Sequence, residues 1–379
     1  MADVIVVGAG VVGASVAFHL AEGGIDTLVL DRGGVASGST ARSGALIRAH
    51  YSTALEADLA WESLTDYFEP WDQRVGGGCG FTRTGFAYLV GEVNVEALRH
   101  NVAIQKRVGV ETEILGPEEL SALDPTLCID GIALAAYEAR GGYADPAATA
   151  VGFLAAARTF GARFERRLVT SLVERGGEIR GVQTDYGPVG ADAVVLAAGA
   201  WSVSLAGRVG LDLPITPARV SVALFERPYE LPTHLTIIDS IEGFYARPAA
   251  ERLTLVGSRD SLEWLDDPEA PTPEPDRAFV QETSQRLGRR LPTLANTRYR
   301  SGRSGILDMT PDGRPILGPA GPDGLYLATG WSGTGFKKAP AVGTEIARWI
   351  SDGVPKRPEL KSYDLARFKD DALIQGEYE

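Results

Sequence analysis

Three glycines, Gly8, Gly10 and Gly13, follow the apolar run from Val4 to Val7 with the spacing G-x-G-x-x-G. That spacing lets a backbone turn tightly at the end of a strand and approach a pyrophosphate with no Cβ in the way; a helix then packs closely on the strand. The helix predicted from about Val11 to Glu22 would aim the N–H groups of its first turn, at Val11 and Val12, and the positive end of its dipole at phosphate oxygens. A second apolar run from Thr27 ends in Asp31, eighteen residues past Gly13, where a ribose hydroxyl needs an acceptor. Strand, triplet, helix, strand and acid occur in the order of a dinucleotide half-site. The acidic Asp31 would repel a 2′-phosphate, which disfavours NADP. A lone triplet would mean little, because glycines also mark ordinary turns.

Two further stretches could face such a ligand. The connection from Arg32 to Ala49 is rich in glycine, hydroxyls and arginine (Ser37, Ser39, Thr40, Arg42, Ser43, Gly44) and follows the acidic strand end, at the edge of a doubly wound sheet where ligands bind. Near the other end, Leu325 to Pro340 reads again as strand, glycine-rich turn and helix, through Gly330, Ser332, Gly333, Thr334, Gly335, Phe336 and Lys337. No acid-tipped strand follows it. One dinucleotide contacted from both ends of the chain has to be long, and FAD answers that better than NAD.

The elements that position these residues alternate in texture. A wholly apolar strand from Ala191, ending in the turn Ala198-Gly199, belongs with the nucleotide unit. An alanine-rich helix is predicted over Pro146 to Phe160 with Asp145 as its N-cap, and another over Thr53 to Phe68. From Phe81 the chain turns to short β-like runs, at Thr84 to Val90, Ile132 to Tyr137, Ile215 to Phe225, Leu235 to Asp239, Phe244 to Ala246 and Leu253 to Val256, which should build a separate sheet. With 379 residues and 44% hydrophobic content the chain can bury a large core. Its 37 basic and 50 acidic residues, net −13, disfavour nucleic acid and anionic membrane surfaces as partners. Two cysteines, Cys79 and Cys128, make no disulfide framework and fit a reducing cytoplasm. No run reads as a membrane span or as a signal peptide, and no metal-ligand pattern is present.

The glycine fingerprint together with Gly38 to Gly44, the strand end Ala197 to Ser202, the segment Pro311 to Ile316 and the run Gly330 to Lys337 resembles the D-amino acid oxidase family of flavoproteins, most closely its sarcosine oxidase and glycine oxidase branch. The resemblance spans nearly the whole chain. It implies an α/β fold: a Rossmann-type FAD-binding domain assembled from residues 1–80, 141–210 and 301–379, and a mostly antiparallel α+β substrate domain from residues 81–140 and 211–300. It implies oxidation of the C–N bond of a small amino acid or amine, with O2 or another acceptor reoxidising the flavin. By position, Arg48 and Lys337 match the groups that hold a substrate carboxylate, and Tyr245 matches a roof tyrosine over the flavin. Arg32, Val169, Ala198, Gly199 and Trp201 join the flavin contacts. The bland alternatives are a structural salt bridge for Arg48, a core aromatic for Tyr245 and a solvated charge for Lys337.

Three departures from the family pattern carry expectations of their own. No cysteine stands in Arg303 to Ile306, where several relatives attach the flavin, so FAD should be non-covalent. The strand from Leu253 to Val256 lacks the lysine that sarcosine oxidases place above the flavin, and Thr334 replaces a common histidine. Two competing functions follow: a dehydrogenase that passes electrons to a quinone or carrier protein, and a flavin-containing assembly factor.

Overall fold

The structure is a computed structural model that describes residues 2–231, 233–370 and 372–376. Its first layer is a sheet around Ala2–Val7, which pairs in parallel with Thr27–Asp31 on one side and with the second half of Gly187–Leu196 on the other. Arg163–Arg166 and Leu325–Thr329 extend the parallel order outward on either side, and Ile316–Pro319 closes one edge antiparallel. The strands from Val4 to Val7 and Leu28 to Leu30 are buried along their length, because helices cover one face and a short helix and hairpin the other. Val11–Glu22 lies between Pro146–Thr159 and Gly335–Asp352, which explains why it is apolar all round rather than on one stripe. This is the expected α/β class with a Rossmann-type parallel sheet.

The second layer is a nine-stranded sheet, antiparallel apart from the pairing of Phe86–Val90 with Thr236–Asp239. Its register puts Tyr88, Ile238, Tyr245 and Gly257 side by side on four neighbouring strands. Directly paired residues share a face, so the two tyrosines project on the same side with Ile238 between them. A built Cβ on Gly257 would sit 2.2 Å from Cζ of Tyr245, so the bare backbone there is what lets the phenol ring lie down across the neighbouring strand.

Two of the differences from the sequence expectations concern a helix and a strand. The helix that starts after Thr53 is α-helical only over Ala54–Ser63 and widens to a π-turn over Leu64–Phe68. Tyr299–Met309, a run of arginine, serine and glycine with weak strand propensity, is an eleven-residue strand paired along nearly all of Thr216–Glu226 in the large sheet. Cys79 and Cys128 are both free thiols. Among the described residues no helix is long and apolar enough to cross a membrane, and no cluster of three or more His, Cys, Asp or Glu could hold a metal ion.

Candidate active site

A cavity of about 950 Å³ runs between the two layers, from the end of Thr27–Asp31 to the face of the large sheet. That is the upper end of the range for small-molecule and cofactor sites. Its first wall is the glycine turn. Gly8 has φ of +109°, and a Cβ there would lie 2.4 Å from the carbonyl oxygen of Ala197; one on Gly13 would lie 2.0 Å from that of Gly8. No other residue closes this turn against the strand and helix. The Asp31 carboxylate accepts from the backbone N–H of Ala9 (2.8 Å) and of Gly33 (2.7 Å), which fixes its direction. A carboxylate has about four acceptor sites, so ribose hydroxyls can still be accommodated.

The loop after Asp31 is stitched into this wall. Thr40 Oγ1 accepts from Val11 N–H (3.0 Å), Ser39 donates to the Ile306 carbonyl, and Arg42 Nη1 donates to the carbonyls of Ser37 (2.6 Å) and Gly38 (2.7 Å). Arg32 pairs with Glu269 and lies 4.6 Å over the ring of Trp201, whose Nε1 donates to the same carboxylate (2.7 Å). Val12, Ser43, Gly44, Val169, Ala198 and Gly199 complete this part of the lining with Gly10. Arg32 and Arg42 thus border the cavity, yet their guanidinium groups are engaged with the protein.

The opposite wall is the second glycine turn. Here an acid that sequence reasoning passed over is central: Asp308 Oδ2 accepts from Gly330 N–H (2.7 Å), and its carbonyl accepts from Ser332 N–H (3.0 Å). Burial pushes the Asp308 carboxyl up to about 6, against the N–H groups of Trp331 and Gly330 that favour its charged form. Ser332 is held left-handed at φ +48°, with its hydroxyl accepting from Thr310 N–H (3.0 Å). Ser332, Gly333, Gly335, Phe336 and Lys337 line the cavity, whereas Gly13, Gly330 and Thr334 support its walls from behind; Thr334 Oγ1 donates to the Trp331 carbonyl (2.8 Å). The only sequence signal for Asp308 is a single acid between the apolar pair Ile306-Leu307 and a Thr-Pro turn.

Arg48, Lys337 and Tyr245 all line the cavity. Both cations border one aromatic ring: the guanidinium of Arg48 lies 4.5 Å and Nζ of Lys337 lies 5.8 Å from the centroid of Tyr51. Arg48 also donates to the carbonyl of His50. Behind it, Glu138 is fully buried, and its Oε2 accepts from Ala49 N–H (2.8 Å). Burial raises that carboxyl to about 7, opposed by the Ala49 N–H and by the charge of Arg48. Lys337 is 6% exposed, so it is no solvated charge. Its neighbour Lys338 is committed elsewhere, to Glu56, which also pairs with Arg314 Nε at 3.0 Å. Removing Tyr245 from water lifts its hydroxyl to about 12, against the nearby Arg247 and Arg303.

Tyr88, which the sequence did not single out, packs beside this group. Its ring stacks on His50 at 4.6 Å and 25°, and Arg259 Nη1 donates to its hydroxyl at 2.8 Å.

Two glycine turns facing one elongated cavity, with an acid at one end, fit an FAD laid from Asp31 to Tyr245, and the protein contacts already made by Gly8, Asp31 and Thr40 hold that cradle open. A model of the FAD dependent oxidoreductase family (DAO) matches residues 3–349. The chain belongs to this family. FAD is therefore its cofactor, and the protein is an FAD-dependent oxidoreductase. It is 26% identical to sarcosine oxidase subunit beta of Rhodobacter capsulatus over 98% of this chain and 90% of that one. It is 29% identical to a 4-methylaminobutanoate oxidase of Paenarthrobacter nicotinovorans over 96% of this chain, spanning 45% of that longer protein. The L-proline dehydrogenase structure from P. horikoshii superposes with a TM-score of 0.91 at 27% identity over 98% of both chains. The glycine oxidase structure from Geobacillus kaustophilus, at 24% identity and a TM-score of 0.85 over 97% and 98% of the two chains, shares the fold of this flavoenzyme.

Proposed function

We propose that this flavoenzyme oxidises the C–N bond of a small amino acid to the imine, with the substrate carboxylate held by Arg48 and Lys337 beneath the Tyr245 roof. The observation that carries this reading is the convergence of two buried cations on Tyr51 at the end of the cavity remote from Asp31. Bound FAD supplies the hydride acceptor. The planar guanidinium of Arg48 can grip a carboxylate through two parallel bonds and so fix its orientation, while the Lys337 ammonium adds charge without that geometry. Ile238, Leu46, Trp331 and Phe336 exclude water around the reacting carbon. Asp31 holds the adenosine ribose. The flavin is non-covalent, a reading supported by Ser304, Gly305 and Ile306 at the segment where relatives carry a cysteine, two of which line the cavity.

An acceptor other than oxygen is favoured by the lack of a lysine in the strand Leu253 to Val256, where sarcosine oxidases carry one above the flavin. The test is an anaerobic screen of N-methyl, cyclic and D-amino acids for loss of flavin absorbance, repeated in air with peroxide detection. Bleaching without peroxide supports the dehydrogenase; absence of bleaching by every amino acid would leave a flavin-binding assembly role. Acid precipitation should release all the flavin, and colour retained in the washed pellet would contradict non-covalent binding.

A further inference from the structure

Beside Arg32 and Trp201 the cavity wall is completed by a segment that belongs to neither glycine turn. Pro268 to Thr272 line it, within a stretch of irregular backbone between the edge strand Glu263–Trp264 and the helix Arg277–Arg290. Along Pro268 to Thr272 half-buried and exposed positions alternate, so this ribbon has the cavity on one side and solvent on the other.

Both ends of the ribbon are fixed to the large sheet. Leu265 N–H donates to the Pro217 carbonyl (2.9 Å), next to the pairing of the edge strand with Ala218 and Arg219. At the other end Ser304 Oγ donates to the Pro273 carbonyl (2.6 Å), and Asp276 caps the helix by accepting from Phe279 N–H (2.8 Å). Gly302 leaves room there for Pro275, whose Cγ would lie 2.6 Å from a Cβ at that position. Between these anchors one side chain reaches the nucleotide layer: a single Glu269 oxygen accepts from Arg32 and from Trp201 Nε1 (2.7 Å). Among the described residues no other hydrogen bond or ion pair joins residues 266–276 to that layer.

This contact is made to open. The Arg32 and Glu269 side chains are 43% and 56% exposed, and an exposed ion pair contributes little to stability. The ribbon can therefore swing away while both sheets stay intact. Its four prolines, at 268, 271, 273 and 275, restrict the freedom it gains on opening, which favours closing again.

We propose that residues 266–273 are a strap that gates the FAD cavity, with Glu269 as its latch on Arg32 and Trp201, so that FAD enters and leaves when this contact is broken. The proposal is independent of the substrate and rests on the reading that the flavin is non-covalent. A gate and a ligand contact differ in kinetics. Weakening a latch raises the open population, which speeds entry and exit by the same factor and leaves Kd unchanged; losing a contact to FAD speeds exit alone.

The experiment compares wild type, Glu269→Ala and Glu269→Gln. Release of FAD from the loaded enzyme is followed by flavin fluorescence on dilution, and uptake by adding FAD to protein stripped of flavin. In Glu269→Ala both rate constants should rise together, on the order of three- to thirtyfold, with the FAD Kd unchanged. Glu269→Gln still accepts from Trp201 and should rise less. Salt should speed both rates more in wild type than in Glu269→Ala, because only wild type keeps the exposed ion pair. In the loaded enzyme, amide hydrogen exchange across residues 266–272 should quicken in Glu269→Ala while that of Ala2–Val7 stays the same.

Faster release with unchanged uptake and a weaker Kd would overturn the gate and make Glu269 a support of the cofactor pocket. Unchanged rates, whether or not exchange quickens, would show that FAD passes by another route. Colour held in the acid pellet removes the non-covalent reading and the gate with it, whereas dissociable flavin with unchanged rates refutes the gate alone.

Discussion

Arg48→Lys is the substitution that tests the carboxylate clamp most directly. It keeps the charge, so any large effect has to come from geometry. Arg48 is 8% exposed, and its guanidinium lies 4.5 Å from the Tyr51 centroid, has the Phe86 ring at 5.8 Å and donates to the His50 carbonyl. A lysine can direct its ammonium at the carboxylate or at that carbonyl, but it offers no planar fork that serves both. One charge-assisted bond to the substrate is then lost, at about 1.5–3 kcal/mol, which lowers kcat/KM on the order of ten- to a hundredfold. The assay compares an N-methyl amino acid with the amine that lacks its carboxylate, in wild type and variant, by stopped-flow flavin reduction. The loss should fall on the amino acid and spare the decarboxylated amine. Equal losses on both compounds, or none on either, would show that Arg48 does not grip a carboxylate and that its contacts with Tyr51 and His50 are structural.

Three further substitutions probe the rest of the site. Asp31→Ala removes a carboxylate that also accepts from the N–H groups of Ala9 and Gly33, so FAD affinity should fall more than tenfold, with some loss of thermal stability; full flavin content after dialysis with unchanged affinity would refute the ribose assignment. Glu138 has a folded-state pKa of about 7, raised from its ordinary 4.5, so its contribution to stability is fully present below pH 4.5 and is lost as pH rises through 7, by about 3 kcal/mol. Glu138→Gln should therefore unfold at a higher urea concentration relative to wild type at pH 8 than at pH 4.5, and a pH-independent difference between the two proteins would contradict the buried-carboxyl reading. Gly257→Ala places a methyl group 2.2 Å from Cζ of Tyr245 and should push that ring into the cavity, lowering flavin content or changing the visible circular dichroism of bound flavin; an unaltered spectrum and activity would show that Tyr245 does not roof the ring.

What could be read from the chain alone follows from how local each cause is. The glycine turn, Asp31 and the helix from Val11 are signalled within one βαβ unit, because the pattern that marks them lies in residues close in sequence even though their packing partners do not. The apolar strand ending at Leu196 is legible for the same reason, because burial on both faces needs an unbroken run. Tyr88 and Arg259 are not legible: they meet through strand pairings between residues some 150 positions apart, and nothing in the short run around either residue encodes that register. Asp308 was visible only as an acid beside a turn, since its partner Gly330 lies in another motif. Tyr299–Met309 was missed because arginine, serine and glycine disfavour strands; pairing with Thr216–Glu226 overrides that preference.

The order of strands in the parallel sheet also dictates when the cofactor cradle can exist during synthesis. Ala2–Val7 leaves the ribosome well before its partners: one of its two neighbours begins at Gly187, and the strand beyond that at Leu325. The helix from Val11 waits still longer for Gly335–Asp352, which covers it. At about 5–20 residues per second the first strand and its helix stay without these partners for roughly 15–70 s, with apolar surface that no nearby segment can bury. The nine-stranded sheet, whose strands all fall between Phe86 and Met309, can be complete before then. Flavin capture is therefore a late event, and a nascent chain arrested before Leu325 should emerge colourless and dependent on chaperones even though its dinucleotide fingerprint is already made.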